Sequence, residues 1–243
     1  PYISWTIDPL PSHRMRLRPG TLPELSLAFV HRESTQSCLE NLGLMDVRRL
    51  PLAAPLRRRE RVCDPALLRD YEAPVTFVGN SLRMDASTLT LSLQRLGTGQ
   101  EVISAIRARL QALFERFGEV PSYQGESTLE QVLGDSLPDL DPESLEGLRL
   151  LDSINGFISE RLRFTRVEAL GSLGIQVWGD AGWRRTSTHY RGLADHGDEL
   201  TRIYCASQIN LDIPRIYQRD ILTMRVFDVL ACGGILLTEA SET

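Results

Sequence analysis

Residues 203–239 read IYCASQINLDIPRIYQRDILTMRVFDVLACGGILLTE, and their alternation decides the fold class. Two apolar runs with strand character, Ile209–Ile213 and Ile235–Thr238, enclose a helical stretch, Leu222–Ala231, that stops at Gly233-Gly234. Strand, helix, glycine stop and strand in one short segment predict a crossover between parallel strands, since parallel neighbours need a connection of helix length.

Working outward, the same alternation returns upstream. Ile175–Trp178 has strand character and a helix is expected near Asp198–Ala206. Val75–Val78 reads as a buried strand whose chain turns at Gly79-Asn80-Ser81. The first residues give strands at Tyr2–Ile7, Leu25–His31 and Val47–Leu52, with a helix around Glu33–Leu42 ended by Gly43. These signals predict α/β architecture with parallel, doubly wound sheets. Between Val75–Val78 and Ile175–Trp178, from Ala86 to about Leu170, the apolar period is mostly 3.6. Val102, Ile106, Leu110 and Leu113 share one face, and Ile154, Ile158 and Leu162 another. The expected organisation is a first α/β domain within residues 1–56, a linker over 57–74, with PLRRRER at 55–61 marking the crossing, and a second domain over 75–243 with a helical insertion at about 86–170. Strand character from Tyr2 onward predicts that the first domain is incomplete in this chain.

Composition narrows the chemistry. Net charge is −5, and all 27 basic residues are arginine. Without lysine there is neither a Schiff-base amine nor a Walker-type phosphate lysine. A mildly acidic chain with no basic arm argues against a nucleic-acid partner. The four cysteines, Cys38, Cys63, Cys205 and Cys232, form no CxxC pair, so neither a zinc nor a redox site is expected, and no bound cofactor. Uninterrupted apolar runs fall far short of the ~20 residues that span a bilayer, and no signal-peptide pattern is present, so a cytoplasmic protein without a membrane span is expected. No GxGxxG follows an early strand, which weighs against a dinucleotide oxidoreductase.

Within the opening stretch, Asp220 and Asp228 bracket the expected helix, separated by seven residues. At 1.5 Å per helical residue they would stand roughly 12 Å apart, about the span of the middle of a sugar diphosphate nucleoside. Each carboxylate can accept two hydrogen bonds from a vicinal diol. The helix start between them suits a diphosphate. The plainer alternative is that Asp220 is an N-cap and Asp228 a solvated partner of Arg225. Arg225 likewise suits either a bidentate phosphate contact or an ordinary ion pair. Gly233 suits either ligand approach or a left-handed helix stop. Gly79 and Asn80 end a strand, where ligands of open α/β sheets sit. Asp8 and His31 end expected strands of the first domain, as base or sugar-ligand candidates, with turn initiation and helix capping as the alternatives.

The run RIYQRDILTMRVFDVLACGGILLTE resembles the nucleotide-binding half of GT-B glycosyltransferases, particularly the spore-maturation CgeB-like family of bacteria, with its RVFD/E-x-L-ACG-x-LLT segments. YRG at Tyr190–Gly192, ELTRIYCASQINLDI at Glu199–Ile213, VTFVGNS at Val75–Ser81, LENLGLMDVRRLPLAA at Leu39–Ala54 and SWTIDP at Ser4–Pro9 resemble further blocks in the family's order. The resemblance implies two Rossmann-like domains of GT-B type and a glycosyltransferase that uses a nucleotide-diphosphate sugar donor, a glycan or protein acceptor and no metal. It implies donor-binding roles for Gly79, Asn80, Tyr190, Asp220, Arg225, Asp228 and Gly233, with Asp8 and His31 on the acceptor side. Many GT-B enzymes carry glutamate at the two positions held here by Asp220 and Asp228. The alternative is a non-catalytic GT-B-like module that binds nucleotide or glycan.

Overall fold

The computed structural model describes residues 2–6, 25–41, 43–54, 64–116, 132–133, 136–141, 144–186, 188–218 and 221–239. Asp8, Asp220 and the PLRRRER stretch lie outside them. The chain forms two compact units: Pro1–Pro51, Met84–Ile158 and Ile216–Asp220 make the first, and Leu52–Arg83, Ser159–Arg215 and Ile221–Thr243 the second.

In the first unit, β1 (Tyr2–Thr6), β2 (Leu25–Val30) and β3 (Val47–Arg49) form a parallel sheet in that order. Helix α1 (Glu33–Asn41) returns the chain from β2 to β3, and Ala28, Val30, Leu39, Leu44 and Val47 close over one another as a small core. The helical region resolves into α2 (Arg83–Arg95), α3 (Gln100–Arg116) and α4 (Leu145–Ala169), whose residues from Ser159 on belong to the second unit. Leu89, Leu93, Ile106, Leu110, Leu150 and Ile154 share its core. The buried face of α3 is centred on Ile103, Ile106 and Leu110, and Val102 is only half-buried at its edge. Ile106 and Leu110 are buried on the expected face, Val102 packs against the same core, and the Leu113 side chain lies outside the described residues.

The second unit is built on β4 (Ala73–Val78), β5 (Gln176–Trp178), β6 (His189–Gly192), β7 (Ser207–Asp212) and β8 (Leu236–Thr238). All pairings are parallel and the order is β6-β5-β4-β7-β8. Counted along the chain from β4, the spatial order is third, second, first, fourth, fifth, which is Rossmann-like. The direction of winding reverses between β4 and β7, and ligands of such sheets sit outside the carboxyl ends of the strands at that reversal. Val75, Phe77, Val177 and Leu211 carry the buried sheet surface.

Two helices matter for the site. Helix α5 (Asp198–Ala206) buries Leu200, Ile203 and Tyr204, spaced i, i+3, i+4, against Trp178, Val229 and Cys232. Asp198 and Glu199 in its first turn complement the helix dipole. Helix α6 (Met224–Ala231) begins two residues later than its apolar pattern predicts, with Thr223 as N-cap, and buries Val226 and Val229. It ends in a Schellman motif: the Gly233 amide donates to the Leu230 carbonyl at 2.9 Å and the Gly234 amide to the Val229 carbonyl at 3.0 Å. Gly233 sits at φ +70°, the left-handed conformation that glycine adopts without penalty.

Candidate functional site

The carboxyl ends of β4, β5, β7 and β8 bring together the polar groups of the second unit. The loop after β4 is fixed by three side chains. The Trp183 indole N–H donates to the Gly79 carbonyl at 2.7 Å, and Arg163 Nη1 donates to the Asn80 carbonyl at 2.8 Å. Asp180 accepts the Ser81 amide at 2.7 Å on one oxygen, and the Ser81 hydroxyl at 2.6 Å and the Gly182 amide at 2.7 Å on the other. The loops after β4 and β5 run so close that a Cβ on Gly179 would lie 2.2 Å from the Gly79 carbonyl oxygen. Leu82, buried, takes a left-handed φ of +63° as the chain enters α2, a conformation that costs a non-glycine residue about 1–2 kcal/mol. Arg163 also donates through Nε to the Ile213 carbonyl at 3.1 Å, so one buried guanidinium ties the chain ends leaving β4 and β7.

Asp212 ends β7 and is the acceptor around which the other side of the site is arranged. The Thr223 hydroxyl donates to Oδ2 at 2.9 Å, and the Thr238 hydroxyl donates to the same oxygen at 3.4 Å. Arg225 Nη1 donates to Oδ1. The Asp212 side chain is 2% exposed and that of Arg225 16%. Burying a carboxylate this deeply costs several kcal/mol unless it is paired and hydrogen-bonded, and these three donors meet that need. The Arg225 guanidinium carbon stands 5.3 Å from the centre of the Phe77 ring, and its Nη2 would lie 3.0 Å from a Cβ on Gly79. A Cβ at position 79 would lie 2.9 Å from the Phe77 ring, so any side chain there would displace the ring or the end of Arg225. Tyr204 lies within electrostatic reach of Arg225 and Asp228. Burial pushes its phenol from 10.0 up to about 12; the Arg225 cation opposes the rise and the Asp228 carboxylate adds to it.

Of the residues singled out in the sequence, Gly79 and Arg225 come into contact at the sheet reversal, and Asn80 follows in the same loop. Asp228 is half-buried on α6, three residues beyond Arg225. Gly233 lies at the opposite end of that helix from Arg225. Tyr190 is on the edge strand β6, where its hydroxyl donates to the Gly179 carbonyl at 3.2 Å. His31 follows β2 in the first unit and is half-buried. Asp8 and Asp220 lie outside the described residues. Asp212, Thr223, Thr238 and Arg163 were missed. The strand-end rule that selected Gly79 would have selected Asp212 had it been applied to β7. Nothing local marks Arg163, whose partners lie 50 and 83 residues away.

Together these groups place a held guanidinium and a bare glycine backbone at the sheet reversal, an arrangement whose chemistry suits a phosphate group. Among the described residues no cluster of three or more His, Cys, Asp or Glu could hold a metal ion, and no helix is long and apolar enough to cross a membrane. Residues 160–243 match a family model described as glycosyl transferase-like. That span takes in β5 to β8, α5 and α6, and with them Arg163, Asp212 and Arg225. No curated protein and no solved structure matches the chain significantly. The C-terminal third is therefore glycosyl transferase-like, on a parallel Rossmann-like sheet.

Proposed function

We propose that this chain carries the donor site of a GT-B-type glycosyltransferase of the CgeB-like kind, which passes a sugar from a nucleoside-diphosphate donor to a glycan or protein acceptor. One observation carries the proposal. Arg225, inside the segment that is glycosyl transferase-like, is held at the sheet reversal against Gly79, which precedes that segment. The diphosphate would lie over Gly79 and Asn80, against Arg225 and the first turn of α6, where its leaving charge is neutralised by the guanidinium and by helix-terminal amides. Asp228 and Asp220 would take hydroxyls of the nucleoside and sugar. Asp8 and His31 would serve the acceptor.

Calorimetric titration with UDP, GDP, CDP and dTDP, and with their sugar conjugates, tests this directly. One diphosphate is expected to bind with clear preference. Arg225→Met should weaken that diphosphate at least tenfold, in keeping with ~1.5–3 kcal/mol for a hydrogen bond to a charged group. Asp228→Ala should weaken binding with little loss of stability. Absence of binding by every diphosphate and conjugate would remove the proposal. Binding without donor turnover in the presence of acceptors would instead point to a non-catalytic module.

A further inference from the structure

We infer that Asp212 is a positioning residue, the carboxylate that sets the Arg225 guanidinium for the donor's diphosphate; this rests on the donor site proposed above. The carboxylate is itself immobilised. Thr223, at the start of α6, and Thr238, at the end of β8, both hold Oδ2, which leaves Oδ1 for Arg225 Nη1. The guanidinium, held by Asp212, is bordered by the Phe77 ring and the Gly79 backbone and hydrogen-bonds the Tyr204 hydroxyl, and 16% of the side chain stays exposed.

Stability alone is a weak reason to keep such a pair. Buried ion pairs replaced by well-packed apolar groups often leave a protein as stable or more so. Orientation is the stronger reason. A free arginine side chain carries about 2 kcal/mol of rotamer entropy. A group whose rotamer is already fixed by its neighbours meets a ligand without that loss. Three elements, the ends of β7 and β8 and the start of α6, converge on one carboxylate whose outward effect is the placement of one cation.

The test compares wild type, Asp212→Asn, Arg225→Met and the double variant. Each is titrated with UDP, GDP, CDP and dTDP and with the four matching nucleosides. Asp212→Asn keeps the shape and an oxygen acceptor but removes the charge. It should weaken the preferred diphosphate at least tenfold and change the matching nucleoside less than twofold. In the Arg225→Met background it should add less than threefold, because the carboxylate acts through the arginine. Thr238→Val, which removes a 3.4 Å contact at an exposed strand end, should give a two- to threefold loss and serves if Asp212→Asn does not fold. Without any ligand, the Arg225 Nε–H resonance, identified by its loss in Arg225→Met, should be resolved in wild type and exchange-averaged in both Asp212→Asn and Thr238→Val. Additive losses in the double variant, equal losses for nucleoside and diphosphate, or an Arg225 resonance unchanged by both substitutions would overturn the inference. If no diphosphate binds wild type while the resonance collapses in the variants, the donor site is overturned and the positioning of Arg225 stands.

Discussion

At the scale of single residues, Tyr204 gives the site a signature at high pH. Its phenol is raised from 10.0 to about 12 because the neutral form is favoured in its buried position. A group whose folded pKa lies above its unfolded value contributes stability that is complete below pH 10 and is lost as pH rises toward about 12. A shift of this size corresponds to about 2–3 kcal/mol. Urea unfolding from pH 9 to 12 should therefore show a decline for wild type that Tyr204→Phe reduces. Equal slopes in the two proteins would show that Tyr204 does not drive the decline. The chain has no lysine, so no ε-amine titrates in that interval, and the other tyrosines and the cysteines are common to both proteins. Asp212 shows what residue-by-residue reading misses. In sequence it is one polar residue ending an apolar run; its meaning depends on Thr223, Arg225 and Thr238, which the fold delivers from two later elements.

Among the elements, strands rich in Val, Ile and Phe were legible because a parallel strand buried on both faces reads as an apolar run. The short edge strand β6, HYRG, has no such run, since its residues are exposed or half-buried, and it went unseen. The start of α6 was misplaced for a tertiary reason. The Thr223 hydroxyl serves Asp212 and makes no side-chain cap bond to the helix. The contact between the loops after β4 and β5 leads to a prediction of its own. Gly179→Ala would place a Cβ 2.2 Å from the Gly79 backbone oxygen, so the loops must separate. Overpacking of this kind costs about 1–3 kcal/mol, and the lowered melting temperature should be accompanied by weaker diphosphate binding, because Gly79 moves with its loop. Gly233→Ala strains only the end of α6. It should cost about 1–2 kcal/mol, read as a modest fall in the urea midpoint.

For the whole molecule, the two units give hydrogen exchange a clear expectation. A nucleoside diphosphate at 100 times its dissociation constant adds about 2.7 kcal/mol to whatever structure holds it. Protection should concentrate at residues 79–83 and 223–226, and be smallest in β1 to β3. Protection centred on the first sheet would place the ligand elsewhere. The parallel order of the second sheet also has a consequence in time. Thr76 on β4 bonds to Ser207 on β7, 131 residues later. At ~5–20 residues per second on the ribosome, the nascent β4 waits roughly 7–25 s for the neighbour that completes its ladder. During that interval its apolar length, centred on Phe77, is open to wrong partners. Slower growth at low temperature, or a holdase chaperone supplied during synthesis, should raise the yield of folded protein more than any change of buffer after lysis.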